Sequence, residues 1–532
     1  MQCQQLLPKK ISSTRFSLGN PEIPDALNPK RNLRTIWTLE ECSYPRHLES
    51  NMNVSAMGKR FGRQITSQSA IFCGIACLFL CGTSGIANAD TDNSVDQDFA
   101  ELSGLLQGSW RVENQVILDD AEHGQTRGEL AVAYATITPN PAGTVLRWDV
   151  EFGSDGTHGL VSVHRGTGEI RSFHTAADGG HWELIISKSR KKKNTWKWKV
   201  ATASFPTGDM LTGNGTWKFS ADGKQLTTLG SLKPSDGDEI KLDNRMVRLS
   251  EATDAKSLAE ASVRSFLRNF NSRNVSGLAE EFTKNSARVI SLYQLPLEGR
   301  DAIAASFEER FANEEAADAG SLDAIVANAR YISENVILAD GSWQIIDAEG
   351  ETVRHGKWGN VMQVIDGQCK LLMESAHSEI TNQEVSAEKS ESRLPVPKGL
   401  TAKDDPVVPM IERSIQRYTK GMRTSDFNLL ASEFTSDGTQ LVGNVAGPSR
   451  GYKEIAKAFS VGVGDGSPYE KTVLEAKVMG LRRIDNELVA AYGIWSAHTT
   501  DGKLIDFGQW GNVFRQTDDE VKMVMESAGS FE

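Results

Sequence analysis

The sequence predicts a multidomain protein: an N-terminal all-β antiparallel barrel followed by two tandem α+β units, each with helices lying on a curved antiparallel sheet. Three observations carry this. From Gly108 to about Leu249, apolar and polar residues alternate between turn dipeptides. From about residue 254 onward the chain repeats itself without gaps. Each copy opens with apolar residues at helical spacing and ends in strand-like alternation. At 532 residues the chain is also too long for one core.

Before the barrel, Lys59, Arg60 and Arg63 precede the apolar run Ala70 to Leu80 and the small-residue site Ala87-Asn88-Ala89. That order predicts a secretory signal peptide over 57–89, with cleavage near Ala89 and export to a periplasm or the medium. The apolar run is shorter than the roughly 20 residues a spanning helix needs, so no membrane span is expected. Residues 1–56 show no periodicity and stand upstream of the signal, which leaves Met1, Met52 and Met57 as alternative starts. A chain starting at Asp90 keeps 48 Lys and Arg against 65 Asp and Glu, a formal charge of −17. So acidic a surface argues against nucleic acid as a partner. Of six cysteines only Cys369 survives such cleavage, so no intrachain disulfide holds the mature chain.

The barrel is expected over 96–250, with a short helix at 97–106 and about nine strands. In Leu146-Arg147-Trp148-Asp149-Val150-Glu151-Phe152 every second residue is apolar, and Trp182, Leu184 and Ile186 share a face, as do Trp196, Trp198 and Val200. Turns are expected at Asp155-Gly156, Asp178-Gly179-Gly180 and Asp222-Gly223. The tip Lys188 to Lys193 is basic and followed by Trp196-Lys197-Trp198-Lys199, but alternation puts the lysines and tryptophans on opposite faces, which predicts a solvated loop. His123, His158, His164, His174 and His181 fit no metal-ligand spacing, so no metal and no cofactor is expected. Gly108-Ser109-Trp110 after a short helix resembles the opening of lipocalin-like barrels, whose interiors hold small apolar ligands. The tryptophans either line such a cavity or fill the barrel themselves.

The repeat has an offset of 152 residues: Phe282 matches Phe434 (434 − 282 = 152), Trp343 matches Trp495, Gly356 to Val361 matches Gly508 to Val513, and Met373 to Ala376 matches Met525 to Ala528. So many matches in one register predict duplicated units over 254–379 and 405–532. The linker 380–404 between them is rich in Glu, Ser and Pro. Ala259, Val263, Phe266 and Phe270, and in the second copy Ile411, Ile415, Tyr418 and Met422, predict the first helix. Two shorter helices follow, one ending near Phe282 or Phe434, and strands run to the end of each copy. Turns are expected at Asp340-Gly341, Glu349-Gly350, Asp366-Gly367 and Asp501-Gly502.

That order, with the Leu-Ala-x-x-Phe elements at Leu278 and Leu430 and the Gly-Arg-Asp-Ala-Ile helix start at Gly299, resembles the SnoaL-like branch of the nuclear transport factor 2-like superfamily. The second copy departs from the helix start with Gly451-Tyr452. The resemblance implies cone-shaped units opening on an apolar pocket, used by different members for isomerisation, cyclisation, dehydration, hydrolysis or binding alone. No residue matches the acid/base motifs of its isomerase or cyclase branches, so it implies no reaction.

From the residues themselves, Glu374 shares a strand face with Leu372 and Ala376, and Glu526 with Val524 and Ala528. A carboxyl on an apolar face is costly unless hydrogen-bonded or functional, and burial raises its pKa toward the range of a general base. Trp358, Asn360 and Met362, and Trp510, Asn512 and Phe514, share faces of the preceding strand, which brings an Asn amide toward each Glu. Trp343, Trp358, Asn360, Trp495, Trp510 and Asn512 are therefore the candidate ligand-binding residues, and Glu374, Glu526 and His377 the candidate catalytic ones. His355 is a further possible acid; the second copy has Gly529 and Phe507 at the two histidine positions. The expectation is an exported protein binding a small apolar molecule. The alternatives are an acid/base enzyme, and an interaction module whose cones pair within the chain or as a homo-oligomer.

Overall fold

The computed structural model describes residues 89–531 apart from 116–129, 154, 205–207, 209, 236, 253, 293–294, 314–319, 380–404, 444 and 446. The segment expected to be a signal peptide, up to residue 88, the stretch before it, His123 and the expected linker lie outside the described residues. Among those described, no helix is long and apolar enough to cross a membrane.

Helix α1 (Ala89–Leu106) starts earlier than its apolar pattern predicts and leads into a closed barrel. Its strands are β1 (Gly108–Gln115), β2 (Leu130–Pro139), β3 (Val145–Phe152), β4 (Asp155–His164), β5 (Glu169–Ala176), β6 (His181–Lys188), β7 (Thr195–Ser204), β8 (Leu211–Phe219), β9 (Gln225–Pro234) and β10 (Ile240–Ser250). Each pairs antiparallel with its sequence neighbour, and β1 closes onto β10. There are ten strands where about nine were expected. Asp155-Gly156 opens β4; the turn before it is made at Gly153, whose φ of 59° suits glycine.

Helix α1 shuts one end of the barrel. Phe99, Leu102 and Leu106 pack on Trp110 and Trp196, and the Trp110 indole N–H donates to the Leu106 carbonyl at 2.7 Å. The basic tip serves this lid: Arg190 pairs with Asp98 at 2.7 Å and Lys188 with Glu101. As the alternation predicts, Trp196 and Trp198 are buried and Lys197 and Lys199 exposed.

The rest of the chain forms two α+β halves with one element order. The first contains α2 (Ala255–Asn271), α3 (Val275–Glu280), β11 (Phe282–Ile290), β12 (Leu297–Glu298), α4 (Arg300–Ala312), β13 (Ser321–Ser333), β14 (Val336–Ile346), β15 (Thr352–Ile365) and β16 (Gln368–Ser378). The second contains α5 (Val408–Thr424), α6 (Phe427–Ser432), β17 (Phe434–Val442), β18 (Ser449–Arg450), α7 (Gly451–Gly462), β19 (Val473–Arg483), β20 (Leu488–His498), β21 (Leu504–Gln516) and β22 (Val521–Ser530). The sheet orders are β12-β11-β16-β15-β14-β13 and β18-β17-β22-β21-β20-β19. Register repeats too: Phe282 faces Leu371 and Phe434 faces Met523, both displaced by 152 (434 − 282 and 523 − 371).

Two expectations are corrected. The sheets are mixed, since β11 runs parallel to β16 and β17 parallel to β22. These strands directly follow short helices, so their apolar residues read as a continuation of them. Asp340-Gly341 is not a turn but the middle of β14. Gly341 is there because a Cβ would meet the Trp358 ring at 2.8 Å, and Asp340 is paired with Arg450 of the other half.

The halves pack sheet against sheet about a local twofold. Ser375 and its equivalent Ser527 hydrogen-bond each other at 2.9 Å. Arg330 donates to the Asp437 carbonyl, and its equivalent Arg482 donates to the carbonyl of the equivalent Asn285. Self-complementary pairing of one patch is the geometry of an isologous dimer, here within one chain. The barrel docks on one side of this pair: Tyr134 accepts from Arg515 at 2.5 Å beneath the Arg330 guanidinium, and Arg111 pairs with Glu487 at 2.6 Å.

Candidate functional site

Each sheet curls around an apolar pocket of about 130 Å³ on the face away from its partner. Cross-strand glycines build the pocket wall. In β14–β15, Trp343 stands opposite Gly356 and Trp358 opposite Gly341; in β20–β21, Trp495 stands opposite Gly508 and Trp510 opposite Gly493. A Cβ on Gly356, Gly341 or Gly493 would meet the paired indole at 2.7, 2.8 or 2.9 Å, so each ring lies flat over bare backbone. The indole N–H groups donate to the carbonyls of Lys357, Ser342, Gln509 and Ile494 at 3.1–3.2 Å. With their polar edges satisfied, the four rings present hydrocarbon to the cavities.

Glu374, Ala376 and Ser378 line the first pocket, and Glu526, Ala528 and Ser530 the second. The alternation fails two residues earlier. The β15–β16 register slips between Val361 and Met362, and the β21–β22 register between Val513 and Phe514, so Leu371 and Met523 face the pockets instead of Leu372 and Val524. Asn360 and Asn512 also line the pockets, but each oxygen is taken at 3.1 Å by the backbone N–H of Ser375 or Ser527. The asparagines thus tie the last strand where its ladder opens.

His377 does not reach the first pocket. It sits 1% exposed on the opposite face, between Ser291 and Ser375 at the junction of the halves, with its pKa lowered to about 3 by burial and by Lys357 despite a hydrogen bond that the ring donates to the Ser527 backbone carbonyl. Gly529 is its counterpart because a Cβ there would meet the His377 ring at 2.6 Å. His355 is exposed and faces Glu379 at 3.4 Å. Neither histidine is placed for chemistry in the pocket.

The two carboxyls differ through residues that the single-strand reading passed over. Glu374 is ion-paired with Arg288 at 2.6 Å, both side chains under 10% exposed, and the guanidinium lies 4.1 Å over the Phe307 ring. At the equivalent position (440 − 288 = 152) the second copy has Gln440, which donates to Glu526 at 3.0 Å. Tyr418 donates a second hydrogen bond to Glu526, where the first copy has Phe266. Burial without a cation raises the Glu526 pKa to about 7, against the lowering effect of Gln440 and Tyr418. Burial and the adjacent carboxyl hold the Tyr418 phenol protonated, well above the usual tyrosine range. The first pocket therefore holds a neutralised ion pair, and the second a carboxyl that exchanges its proton near neutrality. Comparing the copies at the fixed offset exposes this difference in the sequence, since both exchanges, Arg288 for Gln440 and Phe266 for Tyr418, fall in one pocket.

No family model matches the chain. No curated protein matches it. Among solved structures it is similar to an NTF-2 like protein of unknown function from Shewanella oneidensis MR-1, at 14% identity over 23% of this chain and 96% of that one, with a TM-score of 0.20. A domain of unknown function with a cystatin-like fold from Nostoc punctiforme PCC 73102 aligns at 18% identity over 27% and 91%, with a TM-score of 0.23. A ketosteroid isomerase-like protein from Erwinia carotovora atroseptica SCRI1043 aligns at 10% identity over 24% and 98%, with a TM-score of 0.21.

Proposed function

We propose that this is an exported protein whose two α+β halves are SnoaL-like units, and that the pocket of the second half binds a small, largely apolar, uncharged molecule carrying one hydrogen-bonding group. The observation that carries this reading is Glu526, without a cation beside it, in a largely apolar pocket. A cavity near 150 Å³ accommodates a benzene-sized molecule, so about 130 Å³ points to a single ring or a short branched chain. A carboxyl with its pKa near 7 both donates to a carbonyl and accepts from a hydroxyl around neutral pH. The first half, with its ion pair buried, is a weaker binder of such a molecule or a structural partner. Cyclohexanone and 4-methylphenol are suitable probes. Calorimetric titration is expected to give saturable binding that Glu526→Gln weakens and Glu374→Gln leaves unchanged. Binding lost equally in both variants, or absent altogether, contradicts the assignment.

The same carboxyl favours one second reading, acid/base catalysis. As carboxylate, Glu526 takes a proton from the carbon next to a ketone, leaving the enolate; as carboxylic acid it returns one, with Tyr418 and Gln440 hydrogen-bonded to the carboxyl and fixing its orientation. Exchange of the ring α-protons of cyclohexanone with deuterated solvent, followed by NMR, tests it. Exchange catalysed by wild type and abolished in Glu526→Gln makes the protein an enzyme; exchange at the solvent rate leaves it a binding protein.

A further inference from the structure

The two halves do not serve each other equally at their junction. Lys357, on β15 of the first half, is 2% exposed and forms no ion pair with a described carboxylate. Its ammonium crosses the junction and donates to three backbone carbonyls of the second half: Val442 at 2.6 Å, Val445, and Gly447 at 3.4 Å. Val442, Gly443 and Val445 line the second pocket, so the stretch that accepts from Lys357 on one side is pocket wall on the other. Within its own half, Gly443 donates to the Ala528 carbonyl at 3.1 Å and Val445 to that of Val442 at 3.3 Å. His377 backs the same wall: it stands opposite Lys357 on β16, and Gly529, which lines the second pocket, lies against its ring. In the reverse direction the second half has Gln509 and Gly529 at these positions (509 − 357 and 529 − 377 are both 152), a shorter uncharged side chain and none. A buried ammonium is tolerated only while its acceptors stay in place, because the charge has been taken out of water and the carbonyls stand in for it. The lysine and the wall therefore fix one another. Burial lowers the Lys357 pKa to about 8 against the raising effect of Glu379, so the group is still charged at neutral pH.

We infer that Lys357 is a positioning residue for the second pocket: through this one ammonium the first half holds the wall at Val442, Gly443 and Val445 in place and sets the fit of whatever the second half binds. The inference rests on the reading of that pocket as a binding site, and its test separates the two. It uses the full chain, with 4-methylphenol titrated calorimetrically and hydrogen exchange followed at the Gly443, Val445 and Gly447 amides. Lys357→Met, which keeps the length and removes the charge, is expected to speed exchange at these amides and to weaken 4-methylphenol about tenfold, the worth of one hydrogen bond to a charged group. Lys357→Gln, which carries the other copy's side chain, is the second variant should Lys357→Met not fold. Gln509→Met, the same change on the other side of the twofold, leaves both readouts of the second pocket in place. In Lys357→Ala, added propylammonium restores the affinity and 1-propanol, of the same size without the charge, does not; a lysine that merely filled space would be replaced by either. Affinity and exchange both unchanged in Lys357→Met, or rescue by 1-propanol as good as by propylammonium, overturns the inference. A wild type that does not bind 4-methylphenol counts against the pocket, and unaltered exchange in Lys357→Met then overturns the role of the lysine as well.

Discussion

Two carboxyls at equivalent positions have been given opposite surroundings, and this difference is testable residue by residue. Glu526 has a folded-state pKa of about 7 against an ordinary value of 4.5, so folding favours its protonated form. That contribution is fully present below pH 4.5 and is lost as pH rises through 7, amounting to about 3 kcal/mol. Glu526→Gln removes the cost of the buried charge. It is expected to be near neutral at pH 5 and stabilising by up to about 3 kcal/mol at pH 8, read from urea unfolding at the two pH values. An effect of equal size at both would contradict a proton exchanging near neutrality. Conversely, Arg288→Gln imposes the second copy's arrangement on the first and strands Glu374. The expected loss is about 3 kcal/mol at pH 8 and much less at pH 5, by the same measurement. At this scale the sequence was informative about which carboxyls to inspect, because period-two alternation places Glu374 and Glu526 among apolar neighbours. Their difference lies outside the strand that carries them, because Arg288 and Gln440 stand on strands paired in parallel across a long stretch of chain, and only the comparison of the copies at the 152-residue offset brings it out. His377, named as a possible acid, stands three residues from Glu374 and so on the other face of β16, the face that the second half covers.

Among the elements, the tryptophan hairpins shape the pockets, and they do so through glycine. Gly493→Ala places a methyl group against the Lys477 carbonyl and the Trp510 ring. Overpacking of this kind is expected to cost about 1–3 kcal/mol, and the displaced indole should weaken ligand binding in the second pocket more than Gly104→Ala, an exposed substitution on α1 with nothing near its Cβ. Thermal unfolding together with probe titration checks both. Helices α2 and α5 were legible because a strong 3.6-residue period survives any tertiary context, and the barrel because most of its strands alternate. Strands β11 and β17 were not, since nothing local separates a short apolar run after a helix from more helix. The Asp340-Gly341 pair shows the limit of dipeptide rules: glycine served the approach of an indole, not a reversal of the chain.

Across the whole molecule, the repeat has become an internal dimer. A surface that two separate chains would bury on association is buried within one, with Ser375 on Ser527 and Val289, Val361 and Met373 in one core cluster with Leu441, Val513 and Met525. A chain ending before residue 405 is therefore expected to expose that face and self-associate, whereas the chain through residue 532 has this face already covered. Sedimentation velocity distinguishes the two, and a monodisperse monomeric truncation would contradict the interface. The duplication was plain in the sequence; the pairing of its products was one of three readings, because periodicity reveals that a face is apolar without naming its partner. The measurement that bears most directly on the central claim is native mass spectrometry of the protein isolated from its own source. The account predicts a reproducible small bound mass, retained in Ala376→Phe and lost in Ala528→Phe, which fills the pocket beside Glu526. A clean apo mass, or a set of bound masses that Ala528→Phe leaves unchanged, would contradict it.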